Sequence, residues 1–323
     1  MSIHAIQVHE FGGPEVLTPT KIPEPTAGAG EVVVALDAAD VGFLDTLLRS
    51  GWGRDIFARE LPYVPGDGGA GRVLSVGEGV NRSLVGRHVV VNALGGYAEQ
   101  IVAEVADLVE VPEGVGSLEA AAVLHDGVTA LLLDRADAVE AGEWVLVAAA
   151  AGGAGSLLLQ LLRSRGARVV AAARGARKLT FAREHGAELT VDYSEPGWRE
   201  AVHELLGRGV DVAFDGAGGA LGRQAFDVVT DGGRFITYGT SSGEFADVDP
   251  ERASQRRIRV TNLLAAGPPS RAMARELLTD ALALTAQGKL RPTIGATYPL
   301  QDAAKAHRSL ADRATIGKSL LVL

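Results

Sequence analysis

Residues 144–162, WVLVAAAAGGAGSLLLQLL, constrain this chain more than any other stretch. Residues 144–148 are an apolar run of strand length. Gly152, Gly153 and Gly155 follow, removing side chains where the backbone must turn sharply and where a ligand can approach it. Residues 156–165 suit a helix, and Gly166 is placed to close it in the left-handed conformation. A helix starting there turns free N–H groups and its positive dipole end toward the turn, a setting that suits an anion. The 19 uncharged residues also equal a membrane span in length. The glycines break any such helix at its middle, however, and Glu143, Arg163 and Arg165 stand immediately outside.

The turn opens a repeating β/α pattern. The next strand, 168–173, ends in Arg174, 19 residues beyond Gly155. In dinucleotide sites of this kind an acidic residue near that place accepts a hydrogen bond from the ribose 2′-hydroxyl of NAD. An arginine cannot accept that bond, but it pairs with a 2′-phosphate. Lys178, four residues on, adds a second positive charge. The expected cofactor is therefore NADPH.

At 323 residues and 47% hydrophobic content, the chain is long enough for about two domains and a sizeable core. A net charge of −9 argues against nucleic acid, whose phosphates need clustered basic residues. There is no cysteine, and hence no disulfide, thiolate nucleophile or cysteine-ligated zinc. The seven histidines, at 4, 9, 88, 125, 185, 203 and 307, show no HxH or HExxH spacing, so no metal site is expected. Residues 1–13 lack a basic region followed by an apolar core, so no signal peptide is read and a cytoplasmic location is expected.

The N-terminal part is β-rich. Runs at 3–9, 17–22 and 31–39 are separated by Gly and Pro turns. Residues 66–80 pack six glycines around two expected short strands, which suits a tightly turned antiparallel barrel. Strand-like runs at 87–92 and 97–103 continue it. Helices are expected at 117–124 and 128–139. Strands at 144–149, 167–173, 188–192, 210–215, 234–240 and 258–264 then alternate with helices such as 198–206 and 221–229. This order predicts a doubly wound, six-stranded parallel sheet. A helix at 271–286, strands at 293–298 and 318–323, and a helix at 300–310 are too few to fold alone and are expected to rejoin the barrel. The expected α/β architecture is a barrel domain of residues 1–122 completed by 266–323, and a dinucleotide domain of residues 123–265.

That order and its motifs resemble the medium-chain dehydrogenase/reductase superfamily, and within it the zinc-free NADPH:quinone oxidoreductases that include zeta-crystallin. The matching blocks are DTLLRSG at 45–51, PYVPGDGGAGRVLSVGEGV at 62–80, DGVTALLL at 126–133, AAAGGAG at 149–155, DY at 192–193, YGTSSG at 238–243 and ATIGKSLLV at 314–322. The resemblance implies a GroES-like catalytic domain and a Rossmann domain. It implies that Thr129 and the turn Ala151, Gly152, Gly153, Ala154 and Gly155 line the pyrophosphate. Arg174, Lys178 and Tyr193 would surround the 2′-phosphate, and Ala217 and Gly218 would lie along the adenosine ribose. Gly239, Thr240, Ser241 and Ser242 would sit beside the nicotinamide, with Lys318 reaching the cofactor from the C-terminal segment. A homodimer joined through edge strands near 262–264 is also implied. The chain departs from the family pattern at Gly42, where an Asn is usual, and at Leu47, Trp52 and Gly53, where an aromatic hydroxyl is often found.

Hydride transfer needs donor and acceptor carbons in contact in a space that excludes water. A quinone needs no protein acid, because its reduced oxygen takes a proton from solvent. An alkenal or enoyl thioester needs its carbonyl polarised by a hydrogen-bond donor. Alcohol oxidation without zinc needs a base, and no Tyr-x-x-x-Lys pair supplies one. Quinone reduction therefore ranks first, activated-alkene reduction second and alcohol oxidation last. A catalytically weak NADPH-binding sensor stands as an alternative of another class. His125, just before Thr129, is the candidate proton donor, and Asp45 the candidate substrate-orienting carboxylate. Phe43 and Trp52 are candidates for an aromatic wall around a planar acceptor.

Overall fold

The computed structural model describes residues 1–53, 59–263, 265 and 267–323. The chain divides into two compact units, Met1–Val128 with Ser270–Leu323, and Thr129–Pro269. The first border falls inside the helix Asp126–Ala136, and the second just ahead of the helix Arg271–Ala286.

The first unit is built on a sheet ordered Ile294–Pro299, Lys318–Val322, Glu31–Val41, Gly69–Val76, His88–Val91 and Leu108–Glu110, with Gln100–Glu104 also paired to Glu31–Val41. Ser2–Val8 and Leu17–Pro23 form a separate antiparallel pair. The C-terminal strand Lys318–Val322 runs antiparallel to Glu31–Val41, with Leu320 opposite Asp40. The tail therefore completes the N-terminal sheet. Val32, Val34, Leu36, Val73, Val89, Val91, Ile101 and Leu321 fill its core.

Residues 66–80 carry one strand, Gly69–Val76, where two were expected. Gly69 and Gly71 bring it hard against its neighbour: a Cβ on Gly71 would lie 1.9 Å from the Ala35 carbonyl oxygen. Gly77 then donates to the Glu31 carbonyl at 2.8 Å, which closes the pairing and ends the strand.

A polar network lies within this core. Tyr97, fully buried, donates to Asp45 Oδ2 at 3.0 Å, and its oxygen lies 2.9 Å from His307 Nε2. With the Tyr97 proton on Asp45, His307 is the donor in the second bond. The same Asp45 oxygen accepts from the Gly42 amide at 2.9 Å, capping the helix Phe43–Ser50. Burial, and next the charge of Asp67, push the Asp45 carboxyl up to about 7. Burial, and next Arg49, push His307 down to about 3.

These shifts act oppositely on stability. The folded state holds the Asp45 proton more tightly than the unfolded chain, so this contribution fades as pH rises from 3.8 to about 7. The folded state resists charging His307, so that contribution fades as pH falls from 6.5 to about 3. Asp45→Asn removes only the first. Its unfolding free energy should climb more steeply than wild type between about pH 4 and 6.5, by up to about 1.4 kcal/mol per pH unit. Urea unfolding across that range measures this, and parallel curves would contradict it.

The second unit is a parallel sheet ordered Leu189–Asp192, Arg168–Ala173, Trp144–Ala148, Val210–Asp215, Val229–Thr237 and Arg259–Asn262. Numbered along the chain this is 3-2-1-4-5-6, the dinucleotide-binding order, which reverses direction between Trp144–Ala148 and Val210–Asp215. Trp144, Leu146, Val170, Val202, Phe226 and Phe235 contribute to one core cluster. Residues 144–162 resolve into the strand Trp144–Ala148 and the helix Gly153–Ser164. Among the described residues, no helix is long and apolar enough to cross a membrane.

Candidate active site

In the dinucleotide unit, the parallel register sets Ala148 opposite Asp215, and Asp215 opposite Thr237. The turns that follow these strands therefore emerge side by side. The first is held by the Gly152 amide donating to the Ala149 carbonyl at 3.0 Å. The helix begins at Gly153, earlier than expected, and its N-cap Gly152 makes no side-chain capping bond. Its first-turn amides are thus not satisfied by a cap, as an anion site requires. Gly155 cannot be replaced without movement, because a Cβ there would lie 2.6 Å from the Ala149 oxygen. Helix and strand pack backbone to backbone at this point.

Asp215, fully buried, organises the other two turns. Its Oδ1 accepts from the amides of Ala217 at 2.9 Å and Gly218 at 3.0 Å, and its Oδ2 from the Thr237 hydroxyl at 3.3 Å. Burial pushes its pKa up against the pull of these donors. The Ser242 amide donates to the Ala217 carbonyl at 2.8 Å, and the Ser241 amide to that of Gly216 at 3.3 Å. Ala217, Gly218, Gly239, Thr240, Ser241 and Ser242 thus belong to two loops locked back to back. The strand before the second loop ends at Thr237, short of the expected residue 240, because these bonds turn the chain aside.

Arg174 and Tyr193 follow neighbouring strands, and the Tyr193 amide donates to the Ala173 carbonyl at 3.3 Å. Asp192 shapes the corner: its Oδ2 accepts from the Gly175 amide at 2.7 Å, and its Oδ1 from the Ser194 amide at 3.0 Å. Burial opposes its charge, but Ser194, Gly175 and Arg174 hold its pKa down. Arg174 is exposed, and Lys178 lies in the helix Ala176–Glu184.

In the barrel unit, the residues that come together differ from those expected. Asp40, 2% exposed, is the penultimate residue of the strand Glu31–Val41. Its Oδ2 lies 2.5 Å from His125 Nδ1, and its Oδ1 pairs with Lys318 Nζ. The Lys318 ammonium also lies 3.3 Å from Asp126 Oδ2. Lys318, expected to reach the cofactor, is enclosed between two carboxylates, with 7% of its side chain exposed. Burial disfavours its charge, but Asp126 and Asp40 outweigh that and raise its pKa. Burial also opposes charge on Asp40, yet Lys318 and His125 hold it ionised. The Asp126 carboxyl is raised, by burial first and Asp40 next. His125 is pulled both ways: burial lowers its pKa, but Asp40 prevails and raises it.

Asp45 caps its helix and bonds Tyr97 as described, and it also lines a cavity of about 70 Å³ with Leu48, Arg59, Tyr63, Val64, Pro65, Gly66, Asp67 and Leu94. Phe43 and Trp52 are not among those walls. Both are half-buried, at the start of the helix Phe43–Ser50 and just past its end. Asp40, Tyr97 and His307 escaped sequence reasoning, whereas Asp126 stood beside His125 among the candidate polar residues. The one available signal was weak: Asp40 stands in the strand-like segment 32–41, which also holds Asp37.

Residues 28–131 match the alcohol dehydrogenase GroES-like domain family, and residues 185–321 the zinc-binding dehydrogenase family. The chain is 34% identical to quinone oxidoreductase of Pseudomonas aeruginosa, over 98% of both proteins. It belongs to the quinone oxidoreductase family of the medium-chain dehydrogenase/reductase superfamily. Another relative is 2-haloacrylate reductase of a Burkholderia species, 30% identical over 99% of both. Among solved structures, the Escherichia coli quinone oxidoreductase complexed with NADPH superimposes with a TM-score of 0.91 at 30% identity, covering 99% of this chain and 100% of that one. A mycobacterial protein complexed with NADPH gives 0.91 at 33% identity, with full coverage of both.

The zinc in one matched family's description finds no fitting donor set here. The chain has no cysteine, and among the described residues no three His, Cys, Asp or Glu side chains gather to hold a metal ion. The cation between Asp40 and Asp126 is the lysine ammonium. Lys318→Met should remove the ammonium that both carboxylates share and cost about 3–5 kcal/mol of stability. Chemical denaturation measures the loss, and a variant as stable as wild type would show the pair to be dispensable.

Proposed function

We propose that this protein reduces small conjugated carbonyl compounds with NADPH, with quinones as the first candidate acceptors. The observation that carries this reading is the uncapped glycine turn paired with Arg174 at the end of the next strand, in a chain aligned end to end with an NADPH-bound quinone oxidoreductase. Thr129 and residues 151–155 would hold the pyrophosphate, and Arg174, Lys178 and Tyr193 the 2′-phosphate. Ala217 and Gly218 would lie along the adenosine ribose, and residues 239–242 beside the nicotinamide. When bound, NADPH supplies the hydride. The protein holds it, excludes water and presents the acceptor. A cytoplasmic homodimer belongs to the same reading. Its support is the edge strand Arg259–Asn262 with Val260 exposed; position 264 of the expected interface lies outside the described residues.

A second reading, reduction of an activated C=C bond, is favoured by one feature. His125 is anchored to a buried carboxylate, as a proton donor would be, and a relative aligned over its full length is a 2-haloacrylate reductase.

NADPH oxidation across a panel of quinones and enones tests the reading. Turnover with either class supports reductase activity, whereas tight NADPH binding without turnover would make the protein a sensor. NADPH should bind more tightly than NADH. Arg174→Ala should weaken NADPH by about 10- to 100-fold, the value of one charge-assisted hydrogen bond, and leave NADH nearly unchanged. Calorimetric titration of both cofactors decides this, and equal wild-type affinities would sink the assignment.

A further inference from the structure

We propose that Asp40 is a positioning residue: it clamps His125 by Nδ1 so that the Nε2 edge delivers a proton to enone-type substrates. This rests on the reductase reading above and names the substrate class for which that site needs an acid.

The placement comes from the strand and the turn together. Asp40 cannot swing away, because Lys318 pairs with its Oδ1 while its Oδ2 faces His125 Nδ1. Its backbone is held as well, by its amide bond to the Gly68 carbonyl at 3.2 Å and its place opposite Leu320. His125 occupies the short turn between the helices Ser117–Val123 and Asp126–Ala136. Its side chain keeps 39% of its surface, against 2% for Asp40. One edge of the ring is thus spent on a buried carboxylate while the ring as a whole stays accessible. A carboxylate at Nδ1 fixes the tautomer that carries hydrogen there, so the transferable proton sits on Nε2. The charges around the ring are Asp40 and Asp67, which favour its protonated form, and Lys318, which opposes it; Asp126, the next residue and a partner of Lys318, also interacts with His125.

The chemistry separates two substrate classes. Hydride addition to the β-carbon of an enone forms a C–H bond there. The C=C electron pair moves toward the carbonyl, and negative charge gathers on its oxygen. Transfer of the Nε2 proton breaks that N–H bond, forms O–H on the substrate and leaves a neutral imidazole still donating Nδ1–H to Asp40. Solvent then restores the proton. Two electrons and one hydrogen come from NADPH, the second hydrogen from His125. A quinone gains aromaticity on reduction, and its oxygens take protons from water, so it depends less on this donor.

The test uses the intact enzyme with 3-buten-2-one and 1,4-benzoquinone as probes. In wild type, kcat/KM for the enone should fall at alkaline pH as His125 loses its proton. In Asp40→Asn that fall should move to lower pH by a unit or more. His125→Gln should lose about 10²- to 10⁴-fold with the enone and less than about tenfold with the quinone. An alkaline limb unmoved in Asp40→Asn, or equal losses with both probes, overturns the proposal. Should the variants not fold, ¹⁵N NMR of wild-type His125 decides the placement. The Nδ1–H tautomer with a pKa above the ordinary 6.5 is expected, and an Nε2–H tautomer or a lower value refutes it. Wild-type turnover of the quinone but not the enone overturns this inference alone, whereas turnover of neither overturns the reductase reading as well.

Discussion

The buried lysine between two carboxylates is the constraint on which the barrel unit depends. Asp40 and Lys318 stand on adjacent antiparallel strands that come from opposite ends of the chain. An ion in that interior is tolerable only when its partner is in place. The ion pair and the strand pairing therefore form together: neither charge can be buried until the C-terminal strand has docked. The same pair fixes the carboxylate on which His125 is oriented, so a folding constraint also sets the geometry of the candidate acid.

The dinucleotide unit depends on a different economy of space. Its turns approach one another through backbone alone. Gly155 lies against the Ala149 oxygen, and Gly239 against Gly216, where an added Cβ would sit 2.6 Å from a carbonyl oxygen in each case. Asp215 then supplies what glycine cannot, accepting bonds from the amides that these turns leave unpaired. A buried carboxylate with several donors is a rigid bracket. The rigid loops it holds lie at the switch point where ligands bind in open α/β sheets.

Both units thus place a buried carboxylate behind the surface that would meet cofactor or substrate. Asp215 braces loops, Asp192 braces the Arg174 corner and Asp40 braces His125. Asp45 belongs to this pattern too: its capping and Tyr97 bonds tie the helix Phe43–Ser50 to the barrel core. Asp40 is less exposed than the His125 it holds, as a preorganised site requires.

The sequence by itself determined the two-part architecture, the parallel sheet, the return of the tail to the barrel, and the glycine turn with Arg174 after the next strand. These are local signals: apolar period, glycine spacing and charge at a fixed distance along one β/α unit. It misjudged where strands end, at Thr237 and within residues 66–80, because those ends are set by bonds to distant backbone. It also passed over Asp40. Only the tertiary structure brought Asp40, His125, Asp126 and Lys318 together. Their partnership depends on the pairing of strands far apart in the chain and on burial, which turns an ordinary acid and lysine into a fixed ion pair. No pattern of neighbouring residues carries that information.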